Sequence, residues 1–173
     1  MNICIKGLVD EDFVNYKKPS MFIAFPTCTF KCEKECGVCC CQNSDLATAK
    51  DIEVEVEALV DRYAANDMTR AIVVGGLEPF DSFDAMLELI TSIRRKTPDD
   101  IVIYTGYTPK EVAKYFDAIR GFENIIIKFG RFVPNAPHHL DETLGVQLAS
   151  PNQFAVRLEQ IKEDEYGKKE EDT

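Results

Sequence analysis

The chain has 173 residues, of which 45% are hydrophobic, and its formal net charge is −10 at neutral pH. This length is enough to bury a substantial core, and the composition is that of a soluble globular protein. The acidic balance argues against a nucleic-acid backbone as the main partner, because phosphate binding requires clustered Lys and Arg. No apolar run approaches the roughly 20 residues that span a bilayer.

The N-terminus lacks the basic start and apolar stretch of a signal peptide, so we expect a cytoplasmic protein with no membrane partner. We predict a single α/β domain over residues 1–162. Residues 163–173 are mostly charged and almost devoid of apolar side chains, which predicts a flexible acidic tail.

Apolar runs typical of strands alternate with helical patterns along most of the chain. The predicted elements are a strand at Met21–Phe25, a helix at Asp51–Tyr63, a strand at Ala71–Val74, a helix at Asp81–Lys96, a strand at Ile101–Tyr104, a helix at Pro109–Ile119 and a strand at Asn124–Lys128. The second of these starts with strand-like alternation, but its apolar residues fit helical spacing better. Beyond Gly130 the pattern weakens, and we predict a strand at Leu144–Leu148 and a last helix at Asn152–Lys162.

Strands that alternate with helices predict right-handed crossovers and a parallel sheet. Ligands of such sheets bind at the carboxyl ends of the strands. Three motifs follow predicted strands at these ends: a cysteine-rich loop after Phe25, the sequence Gly-Gly-Leu-Glu-Pro at 75–79, and Thr105-Gly106. We therefore expect all three motifs to meet at one edge of the sheet.

The cysteine-rich loop holds six of the seven cysteines, all between Cys28 and Cys41. In a reducing compartment such density favours a metal or a cluster over disulfides. The cysteines alone support a structural zinc site and an iron–sulfur cluster about equally. A zinc site would need distant ligands such as Cys4 or the pair His138-His139, although Cys4 is expected to be a buried thiol and the histidines to lie at the surface.

The combination of a Cys-x3-Cys opening after the first strand and Gly-Gly-x-Glu-Pro after the second resembles the radical S-adenosylmethionine (radical SAM) superfamily. The resemblance implies an incomplete, open TIM-like barrel. It also implies a [4Fe-4S] cluster held by three cysteines, with S-adenosylmethionine (SAM) chelating the open iron. Gly75, Gly76 and Glu78 match the motif that contacts the SAM amino group, with Leu77 inserted.

A narrower resemblance covers most of the chain. Tyr-Thr-Gly-Tyr at 104–107, Gly-Arg-Phe at 130–132 and Ser-Pro-Asn-Gln at 150–153 are similar to the activating proteins of anaerobic (class III) ribonucleotide reductase. Phe129 stands where that family usually has Asp. The resemblance adds four residues to the implied SAM site: Thr105, Gly106, Asn152 and Gln153.

Two sets of cluster ligands fit the loop. Cys32, Cys36 and Cys39 keep the usual Cys-x3-Cys-x2-Cys spacing. The other set is Cys28, Cys32 and Cys41. Its first cysteine directly follows the strand, and its third is followed by Gln-Asn-Ser, as the family pattern requires. This set needs an insertion of six residues between Cys32 and Cys41. We favour the second set.

The resemblance implies an enzyme that reductively cleaves SAM to a 5′-deoxyadenosyl radical and installs a glycyl radical on the large subunit of anaerobic ribonucleotide reductase. Flavodoxin or ferredoxin would supply the electron. A radical SAM enzyme acting on another peptide or small molecule, and a non-catalytic zinc or iron–sulfur protein, remain as alternatives. Of the charged residues near these motifs, Lys128 is expected to be a solvated or an interface residue. Arg131 is expected either to be structural or to pair with a ligand carboxylate.

Overall fold

The computed structural model of the protein describes residues 1–162, so the predicted acidic tail at 163–173 lies outside the described residues. The strands are β1 Asn2–Ile5, β2 Gly7–Asp12, β3 Ser20–Phe25, β4 Ile52–Glu55, β5 Ala71–Gly76, β6 Asp100–Tyr104, β7 Ile125–Phe129, β8 His139–Asp141, β9 Val146–Leu148 and β10 Phe154–Arg157. The α-helices are α1 Lys31–Cys36, α2 Ser44–Thr48, α3 Val56–Ala64, α4 Phe83–Lys96, α5 Pro109–Val112 and α6 Phe116–Ile119. Short 3₁₀ turns lie at Pro79–Ser82, Ala113–Tyr115 and Leu158–Gln160.

The main sheet has six strands in the order β10-β7-β6-β5-β3-β2. Its four central strands are parallel to one another, while β2 and β10 run antiparallel at the two edges. The parallel arrangement predicted for the central strands is thus observed. Because the described sheet has two edges it does not close, and the open TIM-like barrel stays a prediction.

The two faces of the sheet are covered differently. On one face, helices α3 and α4 and the α5–α6 region bury the larger apolar core, which includes Phe25, Val74, Ile90, Ile103 and Ile127. On the other face, the β8–β9 hairpin and Tyr16 cover a smaller core that contains Val73, Val102 and Ile126. The parallel strands are buried on both faces of the sheet, so their sequences are continuous hydrophobic runs.

Two predicted helices are wrong in whole or in part. In both places the segment pairs as a strand with the edge of another strand. Residues 52–55 form β4, which pairs antiparallel with β1, and only Val56–Ala64 is helical. Residues 154–157 form β10 along the free edge of β7 instead of a last helix. Backbone groups on these edges need hydrogen-bond partners, and this requirement outweighs local helical spacing.

Residues of β1 alternate between exposed and buried positions. Ile3 and Ile5 point into the core, and Cys4 between them is exposed. The prediction that Cys4 is a buried thiol is therefore wrong, because the period of two places it on the solvent side of the strand. Among residues 1–162, no helix is long and apolar enough to cross a membrane.

Candidate functional site

A cavity of about 420 Å³ opens at the carboxyl ends of β3, β5, β6 and β7. Its volume is in the range of small-molecule sites. It is lined by residues from every motif that the sequence singled out: Cys28, Cys32, Cys41, Gly76, Glu78, Thr105, Gly106 and Gln153. The predicted meeting of the three motifs at one edge of the sheet is thus observed.

The cysteine loop reaches the cavity through a sharp turn at Phe30, whose φ of 54° is left-handed, followed by the single-turn helix α1. Cys32 lies close to the tip of β6, since a Cβ built on Gly106 would stand 3.4 Å from the Cys32 sulfur. Burial raises the pKa of Cys28 to about 11, and burial also raises the pKa of Cys41. These environments favour the neutral thiols, and a bound iron centre would supply the positive charge that favours the thiolates.

The other loop cysteines are arranged differently. The sulfurs of Cys36 and Cys40 lie next to each other, with 7.4 Å between the two Cα atoms, and Cys39 is exposed. None of the three lines the cavity, whereas the favoured set of Cys28, Cys32 and Cys41 does. Which set binds a cluster stays a prediction.

The zinc site considered from the sequence is not assembled in residues 1–162, where no three His, Cys, Asp or Glu side chains are grouped to hold one metal ion. Cys4 lies on β1, and His138 reaches only the wall of the cavity. An iron–sulfur cluster makes a different demand, since each ligand binds its own iron atom and the thiols need not converge on one point. Cys28, Cys32 and Cys41 line the same cavity, and their binding of a cluster stays a prediction.

Glu78 joins the tips of β5 and β6 and is only 3% exposed. One carboxylate oxygen accepts hydrogen bonds from the Thr105 hydroxyl at 2.8 Å and the Phe80 amide at 3.2 Å, and the other accepts the Gly106 amide at 2.9 Å. Burial raises the pKa of Glu78 to about 7, and these hydrogen bonds oppose that rise. The carboxylate therefore fixes two of the predicted ligand-contacting residues, Thr105 and Gly106, in place.

Gly76 has φ of 87° and no room for a side chain, because a Cβ there would stand 2.8 Å from the Ala24 Cα. Its carbonyl accepts a hydrogen bond from the Asn43 side chain at 2.7 Å. This bond connects the segment directly after Cys41 to the tip of β5. The Gln-Asn-Ser context that suggested Cys41 as third ligand thus has a structural role beside the cavity.

Two predicted site residues lie outside the cavity wall. Gly75 provides space for the ring of Phe22 and the Cβ of Tyr104, each 3.2 Å from a Cβ built on it. Asn152 donates a hydrogen bond to the Arg131 carbonyl at 2.9 Å and does not face the cavity. Its neighbour Gln153 is buried, lines the cavity and bridges the Gly130 carbonyl and the Ala149 amide.

Arg131 is held by protein carboxylates. Its guanidinium donates to both oxygens of Glu111, at 2.6 and 2.8 Å, and to Glu35 at 3.0 Å. It also donates to the Gly106 carbonyl at 2.5 Å. Hydrogen bonding to Arg131 holds the pKa of Glu111 far below its usual range. Of the two roles left open for Arg131, the structural one is observed: it fastens α1 to the strand tips.

Lys128 was missed as a cavity residue. It is 7% exposed and lines the cavity, so of the two roles expected for it the solvated one is wrong. The strand register places it beside Tyr104, with Ile126 on the same face. From the run Ile-Ile-Ile-Lys-Phe, the sequence predicts only that neighbouring side chains lie on opposite faces of the strand. It does not predict which of the two faces borders a cavity.

The family model described as "4Fe-4S single cluster domain" matches residues 20–145, well over half of the chain. The matched segment begins at β3 and includes the whole cysteine loop, the tips of β5 and β6, and Lys128. No curated protein matches the chain.

Proposed function

The chain belongs to the 4Fe-4S single cluster domain family, and on that premise we propose that it is a radical SAM enzyme. Its substrate would be a glycine of the large subunit of anaerobic ribonucleotide reductase, on which it installs a radical. The observation that carries the proposal is that three loop thiols and the tips of β5 and β6 line the same cavity. When bound, the reduced cluster supplies the electron that cleaves SAM to methionine and a 5′-deoxyadenosyl radical.

The ligand set Cys28, Cys32 and Cys41 suits a cluster with one iron free for an exogenous molecule, because no fourth thiol lines the described cavity wall. All three residues come from one loop, and Cys32 lies against Gly106. A cluster held by Cys32 would thus have the backbone of the β6 tip as its neighbour. Gly106 has no side chain there, so the ligand can approach closely.

The residues proposed to bind SAM perform two tasks. Gly76, Thr105 and Gly106 offer backbone groups at strand ends, and Glu78 holds the last two in place. Gln153 closes the opposite wall, where its amide is fixed between Gly130 and Ala149. Gly75 and Asn152 support these walls from behind. Such preorganisation orients a ligand without spending binding energy on rearranging the protein.

The proposed partner is a macromolecule because the described chain leaves the cavity open and contributes few elements to cover it. Val14 and His138 are exposed residues at its wall. A covering partner would exclude water and oxygen from a radical reaction. Flavodoxin or ferredoxin is the proposed electron donor.

The test is anaerobic reconstitution with iron and sulfide, followed by reduction in the presence of SAM. We expect about four irons per chain for a single [4Fe-4S] cluster and formation of 5′-deoxyadenosine. Adding the reductase subunit should then yield a glycyl radical detectable by electron paramagnetic resonance. A fully reduced cluster that forms no 5′-deoxyadenosine would refute the enzyme proposal and leave a cluster-binding protein.

Two further outcomes separate the remaining alternatives. Formation of 5′-deoxyadenosine without a radical on the reductase would point to another peptide or small-molecule substrate. Stoichiometric zinc in colourless, anaerobically purified protein would support the metal-binding module.

A further inference from the structure

We infer that Lys128 binds the carboxylate of the ligand in this cavity and so selects a ligand that carries an intact amino-acid group. The inference rests on the proposed function, in which that ligand is SAM. It assigns a specificity-determining role to a residue that none of the recognised motifs includes.

The first observation is the position of Lys128. On β7, residues Ile125, Ile127 and Phe129 face the helical side of the sheet, and Lys128 faces the opposite side. Its neighbours in register are Tyr104 on β6 and Ala155 on β10. The ammonium lies 5.6 Å from the centre of the Tyr104 ring, which holds the side chain toward the cavity.

The second observation is that the described residues give the Lys128 ammonium few hydrogen-bond acceptors and no anionic partner. A lysine ammonium has three donors. The Lys128 ammonium donates one hydrogen bond, to the Gly130 carbonyl at 3.3 Å, and forms no ion pair among residues 1–162. A buried cation without a partner is costly, and such groups are normally paired with an anion.

The nearby protein anions do not meet this need. The charge of Glu78 acts on the Lys128 pKa, but no hydrogen bond or ion pair joins these two side chains among the described residues. Cys32 also lies near enough to act on the lysine electrostatically, yet it is committed as a proposed cluster ligand. A ligand carboxylate in the cavity would supply the missing acceptor.

The cavity then has a polarity that suits an amino-acid group. The Lys128 ammonium supplies positive charge from β7, while Glu78 and the strand-end carbonyls supply negative charge from β5 and β6. A ligand with adjacent amino and carboxylate groups can place its carboxylate toward Lys128 and its amino group toward the other side. A ligand without the carboxylate would leave Lys128 unmatched, and such a mismatch discriminates strongly between ligands.

The test compares two labelled ligands by equilibrium dialysis with the anaerobically reconstituted protein. One is SAM, and the other is decarboxylated SAM, which has the same sulfonium and adenosine but no carboxylate. Lys128→Met removes the charge and keeps the length of the side chain. We expect it to weaken SAM binding about ten- to hundredfold, the value of a charged hydrogen bond, and to leave the binding of decarboxylated SAM unchanged.

Lys110→Met is the matched control, because Lys110 is an exposed lysine on α5 outside the cavity. It should bind both ligands as the wild type does. Thermal unfolding of both variants and their iron content show whether either substitution disturbs the fold or the cluster.

Equal weakening of both ligands by Lys128→Met would overturn the inference, because it would indicate a general electrostatic role. Unchanged binding of SAM would overturn it as well, and in that case the proposed function would stand. Failure of the wild-type protein to bind SAM would overturn both the proposed function and the inference that rests on it.

Discussion

Gly76→Ala should destabilise the protein for two reasons that the chain allows to be measured separately. The φ of 87° is left-handed, which costs a residue with a Cβ about 1–2 kcal/mol. The new Cβ would also stand 2.8 Å from the Cα and Cβ of Ala24, and overpacking of this kind costs about 1–3 kcal/mol. The sum predicts a loss of about 2–5 kcal/mol in the free energy of unfolding.

Two other glycines provide matched controls. Gly37 also has a left-handed φ, of 72°, but a Cβ there meets nothing within 4 Å, so Gly37→Ala should show only the backbone cost. Gly121 has neither constraint, and Gly121→Ala should change stability by less than about 1 kcal/mol.

Urea unfolding followed by circular dichroism gives the three values. The expected order of destabilisation is Gly76, then Gly37, then Gly121. The reasoning would be refuted if Gly76→Ala and Gly37→Ala lost the same free energy, because steric conflict with β3 would then contribute nothing. In Gly76→Ala we also expect lower iron content after reconstitution, because the shifted tip carries the acceptor of the Asn43 bond.

Three further outcomes are expected. Glu111→Gln should lower the free energy of unfolding at pH 7, where the carboxylate paired with Arg131 is ionised. The difference from wild type should shrink as the pH falls below about 4, the ordinary pKa of Glu, toward the lowered pKa of the folded state. Urea unfolding at pH 7 and pH 3 measures this difference, and the same difference at both pH values would contradict the prediction. Thr105→Val leaves a buried carboxylate oxygen without its 2.8 Å donor and should cost about 1–3 kcal/mol in the same assay, whereas no change would show that the hydroxyl is dispensable. Cys41→Ser should lose most of the iron after reconstitution while Cys39→Ser keeps it, and the reverse result would favour the ligand set with the shorter spacing.

The elements that could be predicted from the sequence are those whose signal is local and strong. Strands β3, β5, β6 and β7 are short apolar runs followed by glycine or by turn residues, and α4 has a clear helical stripe. Their order was sufficient to place the cysteine loop and the tips of β5 and β6 at one edge. Seven of the eight predicted site residues that line the cavity do so for this reason, and Gln153, directly before β10, is the exception.

What could not be predicted depends on partners distant in sequence. Residues 52–55 become a strand because β1 offers them an edge, and residues 154–157 become a strand because β7 does. The cavity position of Lys128 depends on the register with Tyr104. The proximity of the Cys36 and Cys40 sulfurs depends on how one short loop folds back, which spacing alone does not fix.

The cysteine loop also differs from the rest of the fold in how it is held. Neither α1 nor α2 buries a single residue, and the loop is fastened by polar contacts such as Arg131 with Glu35 and Asn43 with Gly76. Displacing it exposes little apolar surface, so its local opening requires much less free energy than unfolding the sheet. Cluster assembly can therefore follow folding, with the loop swinging away to admit iron and sulfide while the strand tips keep their shape.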